Sequence, residues 1–120
     1  MILATPTTAD GLSAHAWGRA HWVGVAEVQP SATGPVVVDW QVHEVAWDES
    51  HDAGTHGAHH ARIVRFLKEQ AIQAVVVDHM GEGMQRVMHS MGIPILPATE
   101  GDARTSVVAA LAAVQQAEQD

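Results

Sequence analysis

Cysteine is absent from the 120 residues, which excludes disulfides, thiolate-held metal and a cysteine nucleophile. Aromatic side chains are scarce, with four Trp and one Phe, so a core has to be assembled mostly from Val, Ala, Leu, Ile and Met. Cationic side chains are also few: six Lys and Arg against fourteen Asp and Glu, a formal charge of −8. That balance argues against a nucleic-acid partner or an anionic membrane surface, both of which are bound through clustered Lys and Arg. No apolar run approaches the roughly 20 residues needed to cross a bilayer, and no signal peptide or lipidation motif is visible. The expectation is a cytoplasmic protein. Internal repeats and low-complexity linkers are missing too, so the length predicts one domain, 1–120, with 116–120 frayed at the end of the last helix.

What the chain has in quantity is histidine, nine residues, and one stretch around which the rest can be arranged. Val75-Val76-Val77 followed by Asp78-His79-Met80-Gly81-Glu82-Gly83-Met84 predicts a strand buried on both faces, a glycine-paired turn and the start of a helix. The two glycines free the backbone for a tight turn or for close approach to a ligand. The helix start would aim its unpaired N–H groups and the positive end of its dipole at that turn. This is the geometry of an anion cradle, and equally of a plain strand-to-helix connection.

Strands are predicted at Met1–Thr5, Trp22–Val28, Val36–Trp47, Ala74–Val77 and Ile93–Pro97. Helices are predicted from Thr55 to about Gln70, from the glycine turn to Met91, and from near Asp102 onward, with Thr55 an N-cap and Gly92 a C-cap. In the third strand Val36, Val38, Trp40 and Val42 share one parity while Val45 and Trp47 take the other; a bulge near His43 or Glu44 would explain the switch. Asp48 to Gly57 is polar and predicts an exposed loop. The prolines of the last strand place it at an edge.

The order βββαβαβα implies an α/β domain. Short loops suggest an antiparallel meander for the first three strands, and helical connections suggest parallel additions for the rest. A right-handed crossover sets the fourth strand beside the first, giving a mixed five-stranded sheet of order 3-2-1-4-5 with helices on both faces. In open sheets of this kind ligands sit off the carboxyl ends of the strands where the order switches, here between strands 1 and 4. That edge collects His15 in the loop after strand 1, His21 at the start of strand 2, His51, His56, His59 and His60 around the first helix start, and His79 in the glycine turn. His43 and His89 fall elsewhere.

Imidazole suits Zn, Cu, Ni and Fe, and His56 and His60, four apart on one helical face, could chelate a single ion. Each histidine taken singly is equally an ordinary solvated loop or cap residue. Arg19 could pair with an anionic ligand near the crevice, or with one of the carboxylates. Met80, Met84 and Met88 recur at every fourth residue; thioethers suit Cu(I), but this is also the spacing of a helical core stripe. Asp39, Asp78 and Asp102 form no defensible catalytic motif, and no Ser-His-Asp order, phosphate-binding P-loop or paired-carboxylate motif is evident.

Several of these segments together resemble the dinitrogenase iron–molybdenum cofactor biosynthesis family, the NifX-like domains also found at the end of NifB proteins. The segments are the short N-terminal strand, Ser13–Ala20 against a Ser-x-His-Phe-Gly-Arg-Ala-like loop, the His-bearing stretch His51–His60, the Gly81–Gly83 turn, and Gly92–Ile95 at the last strand. The resemblance implies a ribonuclease H-like fold and a molybdenum- or iron-containing sulfide cluster, held in some members without any thiolate. The chain departs from the pattern at Ala16, an additional residue between His15 and the aromatic-Gly-Arg, which could displace His15 from its usual place.

The sequence thus predicts a carrier of a metal or metal–sulfur cluster, molybdenum or iron with zinc or copper as alternatives, rather than a catalyst. Arg19, His79, Gly81 and Gly83 are the expected cluster-binding residues, and His15, His21, His51, His56, His59 and His60 the expected metal ligands. A cluster donor or acceptor protein is the expected partner, and a monomer or weak homo-oligomer the expected state. Two other classes stay open. One is a hydrolase or transferase working through a His-bound metal, which a vacant coordination position and a nearby carboxylate such as Glu82 would favour. The other is a partner-binding regulatory module whose crevice holds nothing.

Overall fold

The computed structural model describes residues 1–50 and 55–119, apart from the side chains of His56 and Gln119. Three strands come first: β1 (Ile2–Thr7), β2 (Trp22–Gln29) and β3 (Val36–Glu44). A short helix α1 (Trp47–Ser50) and a longer α2 (His56–Glu69) follow, and then β4 (Ala74–Val76), α3 (Glu82–Met91), β5 (Ile95–Leu96) and α4 (Ala103–Gln119). The strands make one mixed sheet of order β3-β2-β1-β4-β5. The β1–β2 and β2–β3 pairs are antiparallel, and the β1–β4 and β4–β5 pairs are parallel. The switch in order lies between β1 and β4, as the sequence implies. No helix among the described residues is long and apolar enough to cross a membrane.

Alternation along the central strands sorts the core into two layers. Leu3, Ala74 and Val76 pack with Val107, Ala110 and Leu111 of α4 on one face. Ala4, Val75 and Val77 pack with Ile63 and Leu67 of α2 and Met84 and Met88 of α3 on the other. A strand covered on both faces has no solvent-facing parity, and this is why Val75–Val77 carries no polar residue.

Two local expectations need correction. The stretch from Asp48 is not all loop: Trp47–Ser50 is a turn of helix, so the element order is βββααβαβα. Ala46 takes a left-handed conformation, φ 50°, and turns the chain back; the Val45 and Ala46 N–H groups both donate to the His21 carbonyl at 2.9 and 3.0 Å. Burial of the Trp47 indole, 3 % exposed, anchors this turn, and the polarity of its neighbours hides it. The bulge also sits elsewhere. Glu27 pairs Asp39 and Val28 pairs Val37, so the extra residue is Val38, which is exposed. Beyond His43 the parity changes because the strand ends at Glu44 and the chain turns at Ala46.

Gly24 lies where β2 meets the Trp40 ring of β3. A Cβ built there would come within 2.3 Å of the indole Cη2, so the ring can sit against the strand only because the side chain is missing. Gly24→Ala is expected to cost about 1–3 kcal/mol through this overpacking, read as a lowered urea midpoint with unchanged slope.

Candidate functional site

A cleft of about 320 Å³ opens off the carboxyl ends of β1 and β4, between the 14–20 loop, the start of α2 and the connection from β4 to α3. Backbone hydrogen bonds strap the loop in place. The Ser13 N–H donates to Gly101 O at 2.7 Å, Ala14 N–H to Pro6 O at 3.0 Å and Trp17 N–H to His79 O at 3.3 Å, and Ala16 bridges His79 in parallel. The loop is therefore held to a fixed course by isolated bridges to β1 and to the β4–α3 connection. The Trp17 side chain, fully buried, is its anchor. It meets Trp47 edge-on with ring centroids 5.1 Å apart, and Trp47 meets Phe66 the same way at 5.5 Å. Three of the five aromatic residues are thus stacked behind the Trp17 wall of the cleft, a clustering that composition and spacing do not reveal. The available hint was an aromatic residue beside a glycine inside an otherwise polar loop.

His59 and His60 enter from the first turns of α2, whose N-cap Thr55 accepts from the Ala58 N–H at 3.1 Å. His59 is buried, 3 % exposed, and its Nε2 lies 2.8 Å from the Gly18 carbonyl. A carbonyl can only accept, so this nitrogen carries the proton and the tautomer is set. His60 rests against the first turn of α3. A Cβ at Gly83 would fall 2.9 Å from His60 Cε1, so the absent side chain is what lets the imidazole reach the cleft wall. Gly81 is the N-cap of α3 at φ −63° and ψ 155°, with no side chain to cap the helix. Neither glycine of the turn is left-handed, so strain plays no part there. The leading N–H groups of α3 carry their partial positive charge to the cleft without a side-chain acceptor.

The charge of the lining is opposite to that of the chain. Arg19, His59, His60 and His79 line it, and among the described residues no carboxylate does, although the protein as a whole carries −8. Arg19 is exposed and makes no ion pair among the described residues. Met80 and Met84, both buried, also line it.

Of the residues that the sequence points to, Arg19, His59, His60, His79, Gly81 and Gly83 share this cleft. His15 and His21 do not line it. His15 turns outward, its side chain 70 % exposed, with Nδ1 2.8 Å from Asp78 Oδ2; Ala16 occupies the adjacent stretch of wall. His21 sits between Glu44, 2.7 Å from Nε2, and Asp48, 2.8 Å from Nδ1. His51 lies outside the described residues, and His56 begins α2 with its side chain outside them. His43 packs edge-on against Phe66 at 5.6 Å and His89 is near the end of α3, both away from the cleft.

The hydrogen bond from His15 to Asp78, then the charge of Asp78, holds the His15 pKa above its ordinary value. A raised histidine pKa stabilises the fold fully below the unfolded value of ~6.5, and that contribution is lost as pH rises through the folded value. The expected result is an NMR titration midpoint for the His15 ring above the ordinary value, returning to it in Asp78→Asn. A midpoint indifferent to that substitution would show that the pair does not form in solution.

Comparison with known proteins places this architecture. A family model described as "Dinitrogenase iron-molybdenum cofactor" matches residues 1–117. Among solved structures the chain is similar to PH0822, with a TM-score of 0.67 and 18 % identity over 95 % of this chain and 92 % of that one. It is also similar to the apo form of the orange protein from Desulfovibrio gigas, at TM-score 0.64 and 18 % identity over 88 % and 82 % of the two chains. A putative NifB protein from Thermotoga, ascribed to the DUF35 family, aligns at TM-score 0.62 and 14 % identity over 88 % and 83 %. At these identities the structural likeness speaks for the fold alone. No curated protein matches the sequence.

Proposed function

The chain belongs to the dinitrogenase iron–molybdenum cofactor family, and from that premise we propose that its cleft binds and carries a metal–sulfur cluster of the molybdenum or iron type as cargo, without catalysing a reaction. The observation that carries this reading is the inverted charge of the lining: Arg19, three imidazoles and, among the described residues, no carboxylate, in a chain of formal charge −8. A bare divalent cation would be better served by acidic side chains, which the protein has in excess and which are absent from the cleft among the described residues. A sulfide- or oxide-bearing metal anion instead asks for N–H donors around its periphery, and Arg19, the His60 and His79 imidazoles and the α3 N-terminus are all of that kind. With no cysteine in the chain, the sulfur must belong to the cargo. His60 and His79 can donate to that sulfur or ligate its metal, His59, whose Nε2–H is spent on the Gly18 carbonyl, backs the wall behind them, and the Met80 and Met84 thioethers offer a soft, apolar floor.

We read the topology as ribonuclease H-like, in keeping with the family resemblance, and give it no nuclease role. Asp78 is engaged with His15, Asp102 caps α4 by accepting from the Thr105 N–H at 2.9 Å, and Asp39 sits in the edge strand β3. A carrier in the cytoplasm needs a donor or an acceptor protein, and the mouth of the cleft is where either would meet the cargo.

Gly83→Ala tests this reading. The added methyl group displaces the His60 ring, while alanine is the better helix former by up to ~1 kcal/mol. Anaerobic titration with tetrathiomolybdate, a molybdenum–sulfide dianion, should show affinity lowered about tenfold, roughly 1.4 kcal/mol, with a melting temperature unchanged or slightly raised. Parent-like affinity in a variant whose His60 ring is shown by NMR to have moved would remove this wall from the binding site.

A further inference from the structure

We propose that His21, Asp48 and Glu49 form a second metal site, separate from the cleft, for a single divalent cation of the manganese or zinc class. One ligand atom from each of the three lies within 4.8 Å of the others, a spread that one ion with bonds of roughly 2.0–2.2 Å can span after small side-chain rotations. Nδ1 of His21 faces Asp48 at 2.8 Å, while Nε2 on the far side of the ring is 2.7 Å from Glu44. That division of labour is the one metal-binding histidines use. One nitrogen goes to the ion, and the other donates to a carboxylate that fixes the ring and strengthens its ligating nitrogen. Glu44 is thus the orienting group behind the imidazole, and Asp48 and Glu49 complete the coordination in front.

The backbone builds this arrangement without help from an ion. His21 immediately precedes β2, Glu44 ends β3, and the two strands are in register there, Trp22 opposite Glu44. The left-handed turn at Ala46 and the two N–H groups donated to the His21 carbonyl bring α1, with Asp48 and Glu49, back beside the ring. The Trp47 N–H completes the anchorage at 2.9 Å from Ala20 O. Side chains from three elements therefore converge on a point the chain has already fixed. They remain reachable, with His21 31 % and Asp48 44 % exposed, so waters can fill the remaining coordination positions.

Chemically this is the converse of the cleft. Three carboxylates surround one imidazole here, against an arginine, three imidazoles and, among the described residues, no carboxylate there. Hard or borderline cations are drawn to the former and anionic cargo to the latter, so the two sites would not compete for the same guest. The inference does not depend on what the cleft carries.

The test uses Mn²⁺ and the ¹⁵N-labelled full chain. Paramagnetic broadening is expected first at His21 and at the Trp22 indole, whose ring centroid is 5.3 Å from that of His21. The double variant Asp48→Asn with Glu49→Gln should weaken Mn²⁺ binding at least tenfold while its other resonances stay in place. Glu44→Gln, which leaves the ligands intact, should weaken binding without abolishing it. Broadening centred instead on His59, His60 and His79, or equal Mn²⁺ affinity in the parent and a correctly folded double variant, would overturn the proposal.

Discussion

Trp17→Ala is expected to cost about 3–5 kcal/mol, a large part of the ~5–15 kcal/mol that holds a typical domain together. The side chain is fully buried and packs edge-on against Trp47 within the core layer that α2 and α3 share. Removing it leaves a cavity behind the cleft and frees the loop that carries Arg19. Trp17→Phe should behave differently. The indole Nε1 is buried without a hydrogen-bond partner among the described residues, so the native residue already bears the cost of an unsatisfied donor. Phenylalanine loses volume but also loses that penalty, and a net cost below ~1.5 kcal/mol is expected. Urea denaturation of the three proteins decides it; equal losses for Ala and Phe would mean that the indole N–H is satisfied in solution.

The second large effect concerns binding. Arg19→Ala combined with His79→Ala should lower tetrathiomolybdate affinity about 100-fold, roughly 2.7 kcal/mol, since each residue would supply a charge-assisted or polar contact to an anion. Both side chains are exposed, so stability should change by no more than ~0.5 kcal/mol. The parent's affinity should also fall with added salt more steeply than the variant's, because the variant has lost its fixed positive charge. If the variant keeps the parent's affinity and salt dependence, the cleft does not hold its guest as an anion.

The sheet was legible because its signals are non-local in consequence but local in sequence. Three strands with short connections, an unbroken valine triplet and two helical crossovers admit few arrangements, and β4 falls beside β1 by the handedness of the connection. The Gly92 cap and the Thr55 cap were legible for the same reason, each being tied to a single backbone requirement. What a topology supplies is an edge of the sheet, however, and not the direction of a side chain on that edge. His15 and His21 are at that edge, yet nearby carboxylates hold them, Asp78 for the one and Glu44 with Asp48 for the other. These partners are distant in sequence, so no spacing rule could reveal them. The hydrogen bond from His59 to Gly18 O and the contact between His60 and Gly83 are of the same long-range kind. The helix at Trp47 and the bulge at Val38 were missed for the opposite reason. Parity along β3 looked informative, but an edge strand is one-sidedly paired and tolerates exposed valines, so its hydrophobic pattern does not fix its register.

Cluster carriage is tested most directly by isolating the protein without exposure to air, counting its molybdenum, iron, zinc and acid-labile sulfide, and recording its optical spectrum. Carriage requires molybdenum or iron together with sulfide and visible charge-transfer absorption, all reduced in the variant that lacks Arg19 and His79. Stoichiometric zinc without sulfide, or an undiminished cluster in that variant, would contradict it.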